Sequence, residues 1–324
     1  MTRYKNTDSV TQISDKYFQM RDEIRQLVVG NDELIEMIVI AVLSEGHILI
    51  EGVPGTAKTT LAKTSAILLG CEFHRFQSSV DSQPADIIGI QFWNADRNIF
   101  ELKKGPIFTN ILLVDEINRL PPKTQSAFIE ALSETQATID GTEYPLPHPF
   151  FTIATQNPME FEGTFPLIEA QKDRFMFSVN ATQLSAEDEF EIIRRERDGM
   201  LNWKTFAKNM SPLFTREGIL NDVKYVKQIH AGEEILSYIR DIIMATREHA
   251  DIALGSSSRG SIALIRGSRA KAALENRDYV IPDDVKAVTL QALQHRIILR
   301  REAEISGTNA TAVIRQILDS VEVP

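Results

Sequence analysis

The stretch Gly52-Val53-Pro54-Gly55-Thr56-Ala57-Lys58-Thr59 constrains this chain more than any other. It follows an apolar run, His47-Ile48-Leu49-Ile50-Glu51, and leads into a segment with helical character from about Lys58 to Leu69. The spacing of Gly52, Lys58 and Thr59 fits the phosphate-loop pattern G-x-x-x-x-G-K-[ST], with Ala57 at the second glycine position and Gly55 giving backbone freedom inside the loop. A loop between a buried strand and a helix turns its backbone N–H groups and the helix N-terminus toward an anion. Lys58 is then expected to reach the β and γ phosphates of a nucleoside triphosphate, and the Thr59 hydroxyl to ligate Mg²⁺. By itself the octet also fits a glycine turn with a solvated lysine; the flanking strand and helix argue against that.

Ile111-Leu112-Leu113-Val114-Asp115-Glu116 supplies the second element of such a site. Four aliphatic residues followed by two acids fit a strand buried on both faces, with its carboxylates at the C-terminal end, where open α/β sheets bind ligands. Asp115 suits the Mg²⁺ shell and Glu116 suits polarising an attacking water. A strand that merely ends in solvated acids is the alternative for this run taken alone.

Further buried strands are expected at Glu72–Gln77, Phe150–Thr155 and Phe175–Val179, five in all with His47–Glu51 and Ile111–Asp115. Helices are expected at 9–28, with Ile13, Phe18, Ile24, Leu27 and Val28 near one face, from Asn31 or Asp32 to Ser44, and at Pro122–Glu134. Alternating strands and helices predict a parallel sheet covered on both faces. After Asn180 the strand-like runs stop. Ser185-Ala186-Glu187-Asp188 reads as a capping box, and helices are expected at Glu187–Arg197, Glu233–Arg247, Ser258–Glu275 and Pro282–His295. The division is therefore placed between residues 1–180, an α/β unit with preceding helices, and 181–324, an all-α unit. Asp140-Gly141 between β-formers predicts a hairpin over 138–144.

With 324 residues, 43% hydrophobic and 25% charged, the chain can bury a sizeable core,. A net charge of −10 weighs against sequence-independent nucleic-acid binding as the main activity,. The single cysteine, Cys71, fits a reducing compartment,. The polar N-terminus carries no secretory signal pattern, no run suits a membrane span, and the six histidines form no spaced ligand set; a cytoplasmic protein, not integral to a membrane, is expected,.

Taken together, these residues resemble the AAA+ ATPases, and more closely their MoxR branch, from about Val29 to Arg296. Gly52–Thr59 is similar to the MoxR phosphate loop, where alanine commonly replaces the last glycine. Gly105-Pro106-Ile107-Phe108 leading into Asp115-Glu116-Ile117-Asn118-Arg119 resembles the Walker B stretch, and Ala154-Thr155-Gln156-Asn157-Pro158 resembles sensor 1. The resemblance implies that Asn157 orients water, that Arg174 in Glu169-Ala170-Gln171-Lys172-Asp173-Arg174-Phe175 is an arginine finger, and that Arg259 in Gly255-Ser256-Ser257-Ser258-Arg259 is sensor 2. Ser258 departs from the family's proline before that arginine, and whether Arg259 acts in cis or in trans stays open. Val29, Gly30 and Thr60 are implied as further nucleotide contacts. Arg277-Asp278-Tyr279-Val280-Ile281-Pro282-Asp283-Asp284-Val285 is similar to the lid hallmark, and residues 80–104, with Phe92 and Trp93, to a hairpin that faces the pore in related rings.

The resemblance implies a P-loop AAA+ core with a five-stranded parallel sheet and a C-terminal helical lid. It further implies a homo-oligomeric ring, a hexamer, that hydrolyses Mg-ATP to remodel protein clients, with a von Willebrand factor A-type partner in some cases. A nucleic-acid motor and an ATP-binding switch with little turnover are the competing outputs. Acidity and the lack of an added DNA-binding domain oppose the first, and the intact Asp115-Glu116 pair opposes the second.

Overall fold

A computed structural model describes residues 4–52, 58–157, 163–181 and 184–324, and omits the side chains of residues 4–9, 204 and 205. Residues 53–57 of the phosphate loop therefore lie outside the described residues. Helix α1 (Tyr4–Arg25) turns Ile13, Tyr17, Met20 and Ile24 inward at helical spacing,. Phe18, assigned above to that face, is 38% exposed, because its neighbour Tyr17 takes the inward position. After a turn, α2 (Asp32–Leu43) buries nine side chains.

The strands and helices then alternate. β1 (Ile48–Glu51) precedes α3 (Lys58–Leu68) and β2 (Phe73–Gln77). A short helix α4 (Pro84–Ile88) opens onto the antiparallel hairpin β3 (Gly89–Asn94) and β4 (Ile99–Lys104). β5 (Ile111–Asp115) and α5 (Pro122–Glu134) follow, then a second hairpin, β6 (Gln136–Ile139) and β7 (Thr142–Pro145), turning at Asp140-Gly141. Both turn residues have positive φ, 48° and 78°, as a tight two-residue hairpin turn requires,. β8 (Phe151–Gln156), α6 (Glu169–Lys172) and β9 (Phe177–Asn180) complete this half.

Five strands form one sheet in the order β2-β5-β8-β1-β9, all parallel. Side chains alternate between two cores: Ile48, Ile50, Ile111 and Leu113 face one, and Leu49, Leu112 and Val114 the other,. Burial on both faces is why β1 and β5 read as unbroken apolar runs up to their terminal acids,. The fifth expected buried strand differs. β2 lies at the sheet edge, where His74, Arg75 and Gln77 remain exposed. The strand expected from Phe175 begins at Phe177, because residues 174 and 175 close the turn after α6.

Beyond Asn180 come α7 (Ala186–Arg197), α8 (Trp203–Asn209), α9 (Arg216–Val226) and α10 (Glu233–Glu248). The Ser185 hydroxyl accepts from the Asp188 N–H at 3.1 Å, as the capping-box sequence predicted,. A short strand β10 (Ile252–Leu254) follows, then α11 (Ser258–Leu274), α12 (Pro282–Leu293), β11 (Ile298–Leu299), α13 (Arg301–Ile305) and α14 (Ala310–Ser320). The expectation of an all-α second half thus needs one correction, since β10 and β11 form an antiparallel ribbon. Within this half, Arg277 holds the buried Asp284 in a two-pronged pair, both bonds at 2.6 Å, across the start of α12.

The helical half docks onto the sheet and the N-terminal helices. Ser14 donates to the Leu274 carbonyl at 2.8 Å, and Lys271 pairs with Glu36 at 2.7 Å. At Gly267 a Cβ would stand 2.9 Å from the Phe177 ring, so α11 lies directly on β9. No helix among the described residues is long and apolar enough to cross a membrane.

Candidate nucleotide site

Because the strands are parallel, their C-terminal ends share one edge of the sheet. Glu51 is level with Gln156, and Val114 with Ala154, so Gly52, Asp115 and Asn157 emerge side by side from β1, β5 and β8. Lys58 opens α3 and donates from Nζ to the Gly52 carbonyl at 2.8 Å, joining the two ends of the phosphate loop. Burial lowers the Lys58 pKa, while the charges of Asp115 and Glu116 oppose that shift,. Thr59 and Thr60 are half-buried in the first turn of α3, which carries no acid that would repel an anion,.

Asp115 is 8% exposed at the end of β5. Its Oδ2 accepts from Arg75 Nε at 2.6 Å and its Oδ1 from the Thr155 hydroxyl at 3.3 Å. Glu116 lies in the left-handed region (φ 57°, ψ 53°), with its N–H donating to Thr155 Oγ1 at 3.0 Å. Such backbone in a non-glycine residue is costly and clusters at functional sites. Its carboxylate accepts from Gln77 Nε2 at 3.1 Å and pairs with Arg119 at 3.0 Å. Asn157 is buried, and its carbonyl accepts from Asn118 Nδ2 at 3.4 Å.

Arg75, Gln77, Arg119 and Thr155 are the site residues that motif reading missed. Arg75 and Gln77 had a signal: they stand two apart on a strand, on one face, beside the strand carrying both acids,. Thr155 and Arg119 lay inside quoted motifs, but their contacts depend on strand register and on the 3-10 turn Ile117–Arg119.

Val29 and Gly30 lie at the α1–α2 turn. A Cβ on Gly30 would meet Leu184 at 3.0 Å, and one on Gly52 would meet Ala181 at 2.8 Å, so Leu184 and Ala181 pack on these glycines.

Arg174 and Arg259 are placed elsewhere. Phe177 pairs with Ile48 and Asn180 with Glu51, so Arg174 lies at the N-terminal edge, opposite Gly52. Four strand residues separate the two edges by roughly 13 Å. Arg174 donates to the Ser133 hydroxyl and the Ala170 carbonyl, each at 2.8 Å. Arg259, in the first turn of α11, pairs with Asp173 at 3.3 Å. Both arginines line one cavity of about 470 Å³, together with Arg266 and Arg296. Its acids are Asp173 and Glu45, the latter paired to Lys227, which leaves the cavity cationic. The structure thus gathers Gly52, Lys58, Asp115, Glu116 and Asn157 at one edge, and Arg174 with Arg259 at the other.

No group of three or more His, Cys, Asp or Glu among the described residues could enclose a metal. Mg²⁺ is commonly held by one or two protein oxygens with water and phosphate completing the shell. Asp115 at the strand end and the Thr59 hydroxyl at the helix start are oxygen donors of the right kind.

The family described as "ATPase family associated with various cellular activities (AAA)" matches residues 47–177, and the AAA lid domain matches residues 244–317. The chain is 40% identical to the uncharacterized protein YeaC of Bacillus subtilis, over 94% of this chain and 93% of that one. It is 38% identical to chaperone MoxR1 of Mycobacterium tuberculosis, over 93% and 81%. A solved structure of a candidate ATPase from Cytophaga hutchinsonii matches with a TM-score of 0.89 at 39% identity, covering 98% of this chain and 97% of that one. With an AAA core, an AAA lid and MoxR relatives along nearly its whole length, the chain belongs to the MoxR family of AAA+ ATPases.

Proposed function

We propose that the chain hydrolyses Mg-ATP in a homo-oligomeric ring, and that each active site is completed by two arginines of the neighbouring subunit. The observation that carries this reading is the separation of Arg174 and Arg259 from Gly52 and Lys58 by the width of the sheet. On this reading neither arginine serves the phosphate loop of its own subunit. In a closed ring of head-to-tail subunits one edge of each meets the opposite edge of the next. The cationic cavity then faces the neighbour's triphosphate, and sensor 2 acts in trans beside the finger.

Within a subunit, Lys58 and the backbone of Gly52–Thr59 hold the β and γ phosphates, with Val29, Gly30 and Thr60 as further contacts. Thr59 and Asp115 hold Mg²⁺, which when bound compensates phosphate charge. Water attacks the γ phosphorus, ADP leaves, and Glu116 accepts the proton from water that Asn157 helps to orient. For this, Glu116 must turn from Gln77 and Arg119, while its strained backbone fixes where the carboxylate starts. Arg174 and Arg259 offset the charge on the transferring phosphoryl group, a role worth about 10³–10⁵ in rate in other NTPases.

Residues 181–324 serve as the lid whose movement against residues 1–180 delivers the output. Remodelling of a protein client in the cytoplasm by a hexamer is the reading favoured, with a von Willebrand factor A-type protein as the partner class and no nucleic acid. The name of the chaperone MoxR1 relative supports it, as does the exposed β3–β4 hairpin, where Trp93 and Phe100 stack edge to face at 5.1 Å while 50% and 67% exposed,. The test is Glu116→Gln, expected to bind ATP with parental affinity and hydrolyse it at least 100-fold more slowly. Unchanged turnover would remove Glu116 from its role.

A further inference from the structure

Two arginines of the lid converge on one carboxylate of the core. Arg296, 8% exposed, donates from Nε to Asp173 Oδ1 at 2.8 Å and from Nη2 to the Asp173 and Phe175 carbonyls at 3.1 and 2.7 Å. Its Nη1 donates to the Met176 carbonyl at 2.8 Å and to the carbonyl of Ala292. All three nitrogens are therefore engaged, and Arg296 is a fixed post under the carboxylate. Ser257 Oγ donates to both Asp173 oxygens, at 3.3 and 3.1 Å, and accepts from the Arg259 N–H at 3.1 Å. That serine caps α11, so the start of the helix carrying Arg259 is pinned to the same carboxylate,.

Arg259 is held differently. Its side chain is 51% exposed, and a single contact, Nη1 to Asp173 Oδ2 at 3.3 Å, is its only side-chain hydrogen bond among the described residues. A guanidinium has five N–H donors, so most of its fork stays open toward the cavity. Asp173 also directly precedes Arg174, which lines the same cavity from the core side. One well-anchored carboxylate thus fixes the helix start, limits the swing of a long side chain and leaves its donors available.

We propose that Asp173 is the positioning residue for Arg259, aiming it from the lid into the cavity it shares with Arg174, so that the neighbour's triphosphate meets two arginines already in place. The proposal rests on the in-trans reading above. An aimed arginine acts on the phosphoryl group in transition, while nucleotide is gripped by the neighbour's own loop, so the effect belongs in kcat rather than KM.

The test is a double-mutant cycle on the full-length assembled protein, with kcat and KM for ATP measured for the parent, Asp173→Asn, Arg259→Ala and the double variant. Asp173→Asn is expected to lower kcat at least five-fold with KM within two-fold of the parent. In the Arg259→Ala background the same change is expected to alter kcat less than two-fold, because nothing remains to be aimed. An equal loss in both backgrounds would show a merely structural role and overturn the proposal. If Asp173→Asn does not fold, having removed the counter-charge of Arg296, the cycle is run with Asp173→Glu. That variant keeps the charge and displaces the carboxylate by one methylene, and the same two outcomes decide. Arg259→Ala with parental kcat would strike the in-trans reading itself, whereas an impaired Arg259→Ala with losses that multiply strikes only the role of Asp173.

Discussion

Lys58 shows how much one side chain has to do in this fold. It bridges the strand end and the helix start through the Gly52 carbonyl, and it lies close enough to Asp115 and Glu116 for their charges to act on its amine. Lys58→Ala is expected to lose ATP affinity by at least 10-fold while the protein stays folded, measured by fluorescent-nucleotide titration alongside thermal unfolding. His47, at the opposite end of β1, makes a different prediction. Its Nδ1 accepts from the Thr152 N–H at 3.2 Å, which leaves the proton on Nε2, facing the Leu132 carbonyl at 3.2 Å. Burial pulls its pKa from 6.5 to about 4, against the opposing effect of the carbonyl. The unfolded chain therefore takes up this proton first as pH falls. The stability this histidine contributes is complete above about pH 6.5 and is lost toward pH 4, by up to about 1.4 kcal/mol per pH unit. Urea unfolding of His47→Gln between pH 7 and 5 should show a shallower decline than the parent; an equal slope would mean that His47 is not the titrating group.

Among the elements, the β3–β4 hairpin depends on two glycines at its base. Gly89 has φ 99°, and a Cβ there would lie 2.4 Å from the Lys103 carbonyl oxygen; one on Gly105 would lie 2.3 Å from that of Ile87. Gly105→Ala should cost about 2–4 kcal/mol, or splay the hairpin, because the clash is with backbone that has no rotamer to yield. In the lid, Arg277→Met should cost about 3 kcal/mol by stranding the buried Asp284, with chemical denaturation as the measure for both. Legibility followed burial and length. The central strands and α5 were readable because both faces of the sheet are covered and the apolar runs are long enough to register. β10 and β11 were not, since strands of three and two residues carry no period,. β2, expected to be buried, lies at the edge, which leaves Arg75 and Gln77 free to reach Asp115 and Glu116. The phosphate-loop and acid motifs pointed to Gly52, Lys58, Asp115 and Glu116, which the structure brings to one edge of the sheet. The pairing of Arg174 with Arg259 could not be read, because it depends on how α11 and the residues after α12 dock onto the turn before β9.

For the whole molecule, the parallel sheet acts as a spacer with unlike ends. One end holds Gly52, Lys58 and both acids, and the other a cationic cavity lined by residues on both sides of Asn180. On the proposed in-trans reading, a lone subunit is expected to be a poor enzyme, with hydrolysis confined to subunit boundaries. On that reading Lys58→Ala binds ATP weakly but still offers Arg174, whereas Arg174→Ala binds ATP but offers no finger. Each is expected to retain under about 5% of parental turnover alone, Lys58→Ala at ATP concentrations below its raised Kd and Arg174→Ala because it lacks a finger worth about 10³ or more. The direct measurement is the ATPase rate of the two variants mixed, after mass measurement has shown that their subunits exchange into common rings. If each site is completed by its neighbour, mixing creates boundaries that pair an intact Lys58 with an intact Arg174, and turnover rises several-fold above either variant alone. Rings that exchange subunits yet stay at the level of the separate variants, or an Arg174→Ala protein with full activity by itself, would contradict the account.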